Sequence, residues 1–106
     1  MSDVEILAQL WNVIEARRTN PREGSYTCRL FEKGPQEIAK KVGEEAIEVI
    51  VAMSARDSEA VAYEAADLIY HLWVALCQCG VTPEEVYAEL RSRYRPESDR
   101  GHESLG

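Results

Sequence analysis

Five carboxylates in the middle of the chain fall at spacings that would bring them together on helices. Glu44, Glu45 and Glu48 lie in the segment KVGEEAIEVI, and Glu64 and Asp67 follow in the segment EAAD. Residues three apart share one face of a helix, so each of these segments presents one pair of acids on one side. Gathered carboxylates repel one another and lose hydration, so they require a cation or protonation. Their oxygen atoms favour Mg²⁺, or alternatively Mn²⁺, over zinc.

The acidic residues border apolar stripes on two predicted helices. At about 100° per residue, Glu45 lies at the edge of the first stripe, and Glu64 lies beside the second. If the two helices form an antiparallel hairpin across a turn at residues 56–58, the acidic pairs lie level with each other. Glutamates that only face water remain the alternative. The stripes consist of Ile38, Val42, Ala46, Val49, Ile50 and Met53, and of Val61, Ala65, Leu68, Leu72 and Leu76.

The elements that position these acids are predicted to be helices, and we expect an all-α helical bundle of four to five helices. Pro35 suits a first helical turn, Asp57 offers an N-terminal cap and Gly80 suits a C-terminal stop. Thr82 and Glu85 have the spacing of a capping box. The predicted helices span residues 3–18, 35–55, 58–79 and 83–95.

The segment between residues 19 and 34 is predicted to be a long connecting loop, because Pro21, Gly24 and Gly34 punctuate it. Loops of this length are often functional. We expect residues 1–95 to form a single domain and residues 96–106 to be a mobile polar tail.

The composition limits the classes of partner. The 106-residue chain has a net charge of −7, which argues against nucleic acid and membrane surfaces, since phosphate contacts need an excess of cations. The N-terminus lacks the basic region of a signal peptide, and the apolar run at 68–77 is too short to span a bilayer. Cys28, Cys77 and Cys79 predict reduced thiols in a cytoplasmic protein, with the last two as small packing residues on different sides of a helix.

The acidic pattern resembles the signature of a known superfamily. An E-E-x-x-E motif at Glu44, Glu45 and Glu48 precedes an E-x-x-D motif at Glu64 and Asp67. This combination is similar to that of the all-α nucleotide pyrophosphohydrolases, the MazG-like superfamily. Such enzymes use Mg²⁺ to split a nucleoside triphosphate between its α and β phosphates.

Three further segments resemble a narrower family. They are SYT at 25–27, KVGEEA at 41–46 and ADLIYHL at 66–72. Together they are similar to the phosphoribosyl-ATP pyrophosphohydrolase family of histidine biosynthesis, over about residues 5–93. The likeness implies hydrolysis of phosphoribosyl-ATP to phosphoribosyl-AMP and pyrophosphate, in a homodimer or a dimer of dimers without a fused cyclohydrolase domain.

The resemblance also assigns roles to individual residues. It implies Mg²⁺ ligands at Glu45, Glu48, Glu64 and Asp67, and a catalytic role for these four together with Glu44. The side chains that it implies for substrate binding are Ser25, Tyr26, Thr27, Arg29, Lys33 and Lys41.

Several of these residues have structural alternatives. Lys41 would either reach a substrate phosphate or form an i,i+4 salt bridge with Glu45. The hydroxyls of residues 25–27 would otherwise anchor a turn. We expect His71 to be a hydrogen-bonded structural residue, despite its position on the face of Glu64. Core or dimer contacts, rather than stacking on adenine, are expected of Trp11, Trp73 and Tyr63.

Two other functions fit the same acids. One is a house-cleaning pyrophosphohydrolase of the superfamily, which acts on dNTPs and needs the carboxylates but no contact to a second ribose. The other is a non-catalytic helical interaction module whose acids are solvated.

Overall fold

The computed structural model describes residues 2–96, and within them it contains five helices and no strand. The predicted all-α class is therefore confirmed. Only the first residue of the predicted tail, Pro96, lies within the described part of the chain. The helices are α1 (Glu5–Thr19), α2 (Tyr26–Lys33), α3 (Pro35–Ser54), α4 (Ser58–Cys79) and α5 (Pro83–Arg93).

Helices α3 and α4 form the antiparallel hairpin that the sequence predicts, and they share the most extensive interface between any two helices. A tight turn joins them, in which Arg56 adopts the left-handed conformation with φ 56°. Asp57 then caps α4, because its side chain accepts a hydrogen bond of 3.1 Å from the Ala60 amide. The helix ends at Gly80, which has φ 73°, a conformation in which glycine avoids the strain of a Cβ atom.

The segment predicted as a long loop is in large part a helix, so that prediction is wrong. Helix α2 begins after Ser25, whose Oγ accepts a hydrogen bond of 3.1 Å from the Cys28 amide. It ends at Gly34, where a φ of 94° turns the chain sharply into Pro35 and α3. The eight residues of α2 are too few for a helix that is stable alone, and packing of Leu30 against the core stabilises it.

The core lies at the end of the hairpin away from the turn, where α1 and α2 cover it. The Trp73 indole donates a hydrogen bond of 3.1 Å to the Leu7 carbonyl, which fixes α1 across α4. The Arg18 guanidinium donates to the Cys77 carbonyl at the end of α4. The predicted core positions of both tryptophans are thus confirmed. The buried cluster consists of Trp11, Ile14, Leu30, Ile38, Trp73, Val74 and Cys77.

The turn end of the hairpin is less buried than predicted. Ile50 and Met53 of the predicted stripe are 59% and 61% exposed. On α4 the buried face contains Trp73 and Val74. Leu72, which belongs to the predicted stripe, lies beside this face and is 38% exposed. The reason is that α1 and α2 pack against the other end of the hairpin, so nothing within the described chain covers these apolar side chains.

The three cysteines are free thiols, and two of them are buried. Cys77 packs in the core cluster, whereas Cys79 is exposed at the end of α4. The two side chains point in different directions, as predicted, because a step of two residues along a helix rotates the side chain by about 200°. The packing role predicted for Cys79 is wrong.

Helix α4 also meets the length and hydropathy requirements of a membrane-spanning helix. Central helices of bundles meet the same requirements. In α4, 22% of the apolar window is buried within the described chain, including Trp73 and Val74 of the core cluster. The helix also carries the titratable residues Glu64, Asp67 and His71.

The start of α5 offers a direct test of local stabilisation. The Glu85 amide donates to Thr82 Oγ1 at 3.3 Å, and the Thr82 amide donates to Glu85 Oε2 at 2.8 Å. We expect Thr82→Ala to lower the free energy of unfolding by about 1 kcal/mol, because it removes one bond of the capping box. Urea denaturation measures this change. Thr82→Ser, which keeps the oxygen, is the control, and equal losses in both variants would contradict the prediction.

Candidate metal centre

An open pocket lies between α3 and α4, about midway along the hairpin. The predicted level arrangement of the two acidic pairs is confirmed, since all five predicted carboxylates line this one pocket. Tyr63, which the sequence analysis assigned to core or dimer contacts, also lines it and is exposed. The complete lining is Glu44, Glu45, Ile47, Glu48, Tyr63, Glu64 and Asp67.

Three of these carboxylates form a tighter group. Glu45 from α3 and Glu64 and Asp67 from α4 each bring an oxygen atom to within 4.8 Å of the others, and all three residues are half-buried. Glu48 lies one turn further along α3 and is exposed at the edge of the pocket. Glu44 is also exposed and points its carboxylate toward Lys41.

The electrostatics of the pocket favour a positive ligand. Burial raises the pKa of Glu64, and the negative charges of Glu45, Glu48 and Asp67 raise it further. Within residues 2–96, none of the three carboxylates of the tighter group forms an ion pair with a lysine or arginine. The repulsion among them is therefore left for protons or a bound cation to relieve.

The donor set fits a hard divalent cation. All the ligand atoms at this point are carboxylate oxygens, which Mg²⁺ and Mn²⁺ prefer, whereas zinc sites usually contain Cys or His. The pocket is open to solvent on one side, so water or a phosphate oxygen could complete the coordination. The arrangement thus has the donor atoms and the access of a candidate site for a hard divalent cation.

Lys41 forms an ion pair different from the one predicted. Its Nζ lies 3.4 Å from Glu44 Oε1, an i,i+3 pair, rather than beside Glu45 at i+4. The hydrogen bond to Glu44 raises the pKa of Lys41, so the side chain stays cationic. Both partners are partly exposed, and a phosphate could replace the Glu44 carboxylate as the partner of Lys41.

The hydroxyls of the SYT segment make contacts within the protein. Ser25 caps α2, the Tyr26 hydroxyl lies 3.0 Å from His71 Nε2, and Thr27 Oγ1 is hydrogen-bonded to the Tyr70 hydroxyl. The bonds of Tyr26 and Thr27 dock α2 onto α4, and together with the Ser25 cap they agree with the anchoring alternative. Tyr70 was not predicted to take part, since nothing local in its sequence indicates a partner 43 residues away.

Two cations of the segment predicted to be a loop, Arg29 and Lys33, are exposed residues of α2. The Arg29 guanidinium carbon is 5.6 Å from the centre of the Tyr26 ring, a cation–π distance. Lys33 is exposed in the last turn of α2. Neither residue belongs to the acidic pocket itself.

His71 is a buried, hydrogen-bonded residue, as predicted. It is 5% exposed, and its Nδ1 lies 2.7 Å from the Asp67 carbonyl one turn earlier in α4. Its Nε2 faces the Tyr26 hydroxyl. The residue thus lies between α2 and the turn of α4 that carries Asp67.

Five helices with a carboxylate pocket between two of them define a class: helical proteins with a candidate site for a divalent cation. Within this class the family is known from sequence, because a model of the phosphoribosyl-ATP pyrophosphohydrolase family matches residues 7–94. The chain belongs to this family, and the resemblance found in its motifs is confirmed.

Named relatives agree with this assignment. The chain is 51% identical over 90 residues to a phosphoribosyl-ATP pyrophosphatase of Sulfurisphaera tokodaii, a match that covers 85% of this chain and 96% of the relative. It is 47% identical over 94 residues to the enzyme of that name from Streptococcus thermophilus, covering 89% of this chain and 90% of the relative.

A third relative is about twice as long. The histidine biosynthesis bifunctional protein HisIE of Caldanaerobacter subterraneus is 49% identical over 92 residues. That match covers 87% of this chain but only 45% of the relative, so the chain spans less than half the length of this bifunctional protein.

The raised pKa of Glu64 predicts an unusual dependence of stability on pH. A folded-state pKa above the ordinary 4.5 means that folding favours the protonated carboxyl. The contribution of the Glu64 carboxyl to folding stability is therefore complete below pH 4.5, and it is lost as the pH rises through the pKa of this group in the folded protein. We expect Glu64→Gln to raise the urea midpoint at pH 7 in EDTA, and to change it little at pH 4.

The matched control is Glu15→Gln, which removes an exposed charge on α1. It should leave both midpoints nearly unchanged, since isolated surface charges contribute little to stability. A lower midpoint of Glu64→Gln at pH 7 would show that the carboxylate is stabilised rather than repelled by its neighbours.

Proposed function

We propose that this chain hydrolyses phosphoribosyl-ATP to phosphoribosyl-AMP and pyrophosphate, the second step of histidine biosynthesis, in a Mg²⁺-dependent reaction. The observation that carries the proposal is the group of three carboxylate oxygens within 4.8 Å of one another, in a chain that belongs to this family. A group of this charge at the mouth of an open pocket suits a cation and the triphosphate that the cation would accompany.

The metal would be held by Glu45, Glu64 and Asp67, with Glu48 at the edge of the same pocket as the fourth ligand. Mg²⁺ at this position would neutralise charge that develops on the diphosphate leaving group. Glu44 lines the pocket from the side of Lys41, where its carboxylate could orient a water molecule. The half-buried positions of the three central acids keep their side chains in few conformations.

The substrate would extend from the acids toward α2. Lys41 lies on the same helix face and supplies a cation for a phosphate, and Arg29 supplies a second beside Tyr26. Ser25 and Thr27 would act mainly through the position of α2, since their hydroxyls are engaged in its cap and its contact with Tyr70. Lys33, exposed at the end of α2, would attract the anion at longer range.

We also propose that the active form is at least a homodimer, whose second copy covers the turn end of the hairpin. Ile47, Ile50, Val51 and Met53 form an exposed apolar surface there. Contiguous apolar surfaces of this kind usually mark an interface. The free thiols and the nucleotide substrate are consistent with action in the cytoplasm.

Pyrophosphate release tests the proposed reaction. Purified protein should release pyrophosphate from phosphoribosyl-ATP with Mg²⁺ and not with EDTA, and dNTPs should be poor substrates. Glu45→Gln and Asp67→Asn should each lower kcat/KM by at least about 100-fold, because even outer-shell changes at metal sites lower activity 10–100-fold.

Glu15→Gln is again the control and should keep the activity of the unchanged chain. Release from dNTPs alone would keep the metal site but assign the chain to nucleotide house-cleaning. A folded protein that releases pyrophosphate from no substrate would contradict the enzymatic function.

The dimer proposal predicts a change of mass in solution. Ile50→Glu should convert the assembly to a monomer in light scattering, because an interface cannot bury an unpaired carboxylate without a large loss of free energy. Val4→Glu, at the exposed start of α1, is the control and should preserve the assembly. An unchanged mass for Ile50→Glu would place the interface elsewhere.

A further inference from the structure

Both ring nitrogens of the buried His71 have partners, and the two partners belong to different parts of the protein. Nδ1 lies 2.7 Å from the Asp67 carbonyl of α4, and Nε2 lies 3.0 Å from the Tyr26 hydroxyl of α2. The name phenol–imidazole pair is used below for Tyr26 and His71. The pair links α2 to the turn of α4 that contributes Asp67 to the acidic group.

The partner of Nδ1 determines the tautomer of the ring. A backbone carbonyl can only accept a hydrogen bond, so Nδ1 carries a hydrogen and donates to Asp67. In a neutral imidazole Nε2 then has no hydrogen and accepts one. The Tyr26 hydroxyl therefore donates to His71 Nε2.

This direction decides what the Tyr26 hydroxyl can offer a ligand. Its single hydrogen is committed to His71, and its oxygen lone pairs remain free to accept. A hydroxyl in this state does not donate to a phosphate oxygen. It accepts a hydrogen from a donor, such as a sugar hydroxyl or a water molecule.

The Tyr26 hydroxyl also lies near the acidic pocket. The side chain is 39% exposed, and although burial is the main cause that raises the pKa of Tyr26, the charges of Lys41, Glu45 and Asp67 act on it as well. Two of these three residues contribute carboxylates to the candidate metal centre. Through His71, the Tyr26 hydroxyl is also two hydrogen bonds away from the backbone of Asp67.

The ring of Tyr26 is held on several sides. It stacks with the Tyr70 ring at a centroid distance of 6.2 Å and meets the His71 ring edge-on at 5.8 Å. The Arg29 guanidinium lies over the same ring. This packing fixes the phenol in place before any ligand binds, which is the requirement for a precise contact.

We propose that His71 is a positioning residue that holds the Tyr26 hydroxyl as a hydrogen-bond acceptor beside the turn of α4 that carries Asp67, where it accepts a hydrogen bond from a hydroxyl of the substrate sugar or from the attacking water. The inference rests on the proposed function and adds a specific role to it. His71 acts through Tyr26 and does not itself touch the substrate.

A neighbouring contact shows what a purely structural link would look like. The Tyr70 hydroxyl is bonded to Thr27 and also ties α2 to α4, one residue before His71. Tyr70→Phe removes one hydroxyl from the same interface without touching the phenol–imidazole pair. We expect this control to lower thermal stability and to change kcat and KM for phosphoribosyl-ATP clearly less than Tyr26→Phe does.

Tyr26→Phe is the first test, because it removes the hydroxyl and keeps the ring. Loss of one hydrogen bond of ordinary strength should change one kinetic parameter by about 10-fold. A higher KM with unchanged kcat indicates that the donor is a sugar hydroxyl, and a lower kcat with unchanged KM indicates the attacking water. Unchanged values of both parameters would overturn the proposal.

Two substitutions at His71 separate positioning from packing. In His71→Asn the amide group takes the place of Nδ1, so the bond to Asp67 is kept and the acceptor for Tyr26 is lost. In His71→Gln the amide oxygen takes the place of Nε2 and keeps that acceptor. We expect His71→Asn to change the same parameter as Tyr26→Phe by a similar factor, and His71→Gln to restore most of the activity.

The double variant Tyr26→Phe with His71→Asn should be no worse than either single variant, since both remove one shared contact. Single effects that multiply in the double variant, or equal losses in His71→Gln and His71→Asn, would overturn the positioning role. If the unsubstituted chain releases pyrophosphate and Tyr26→Phe has the same kinetic parameters, only this inference is contradicted. If the unsubstituted chain releases no pyrophosphate, the proposed function is contradicted and the inference with it.

The tautomer can be measured without any activity. Nitrogen-15 NMR of the histidine rings should show His71 with a protonated Nδ1 and an unprotonated Nε2. The chain has two histidines, and the signals absent from His71→Asn identify the ring. A hydrogen on Nε2 in place of Nδ1 would overturn the proposal, because the Tyr26 hydroxyl would then be the acceptor from His71.

Discussion

Repulsion between like charges is the constraint on which the rest of the structure depends. Glu45, Glu64 and Asp67 lie in one half-buried group although their carboxylates repel one another, and burial followed by this repulsion raises the pKa of Glu64. Only a rigid support can keep them there. The α3–α4 hairpin supplies it, because the two long helices share the most extensive interface of the bundle and are joined by a tight, capped turn. The apolar contacts of the hairpin thus oppose the electrostatic cost of the pocket.

Helix α2 is connected to this hairpin by a different kind of interaction. Leu30 anchors it in the core, but the bonds from Tyr26 and Thr27 to α4 are between hydroxyl and ring groups. Such bonds fix orientation more strictly than apolar contacts do, since they are directional. Because His71 also bonds to the Asp67 carbonyl, the position of α2 and that of the acidic group are mechanically related. A substrate that contacts both α2 and the acidic group would bind to a surface that is already ordered.

The uneven distribution of the core has a functional consequence. Helices α1 and α2 cover one end of the hairpin, and apolar side chains such as Ile50 and Met53 remain exposed at the other. A chain of 106 residues buries a smaller fraction of its surface on folding than a larger domain does, so burial against a second copy would add to its interior. The acidic pocket lies between the two ends, where the support of the core and that of the proposed interface would meet.

The sequence by itself determined what depends on near neighbours along the chain. It was sufficient for four helices, the Asp57 and Thr82 caps, the Gly80 stop and the facing acidic pairs, because caps and i,i+3 relations involve residues within one turn. Only the tertiary structure decided that residues 26–33 are helical, that Leu72 of the predicted stripe is exposed, and that Lys41 pairs with Glu44. It alone joined Tyr26 to His71, 45 residues away. Burial and long-range hydrogen bonds depend on which surfaces meet, and no local pattern carries that information.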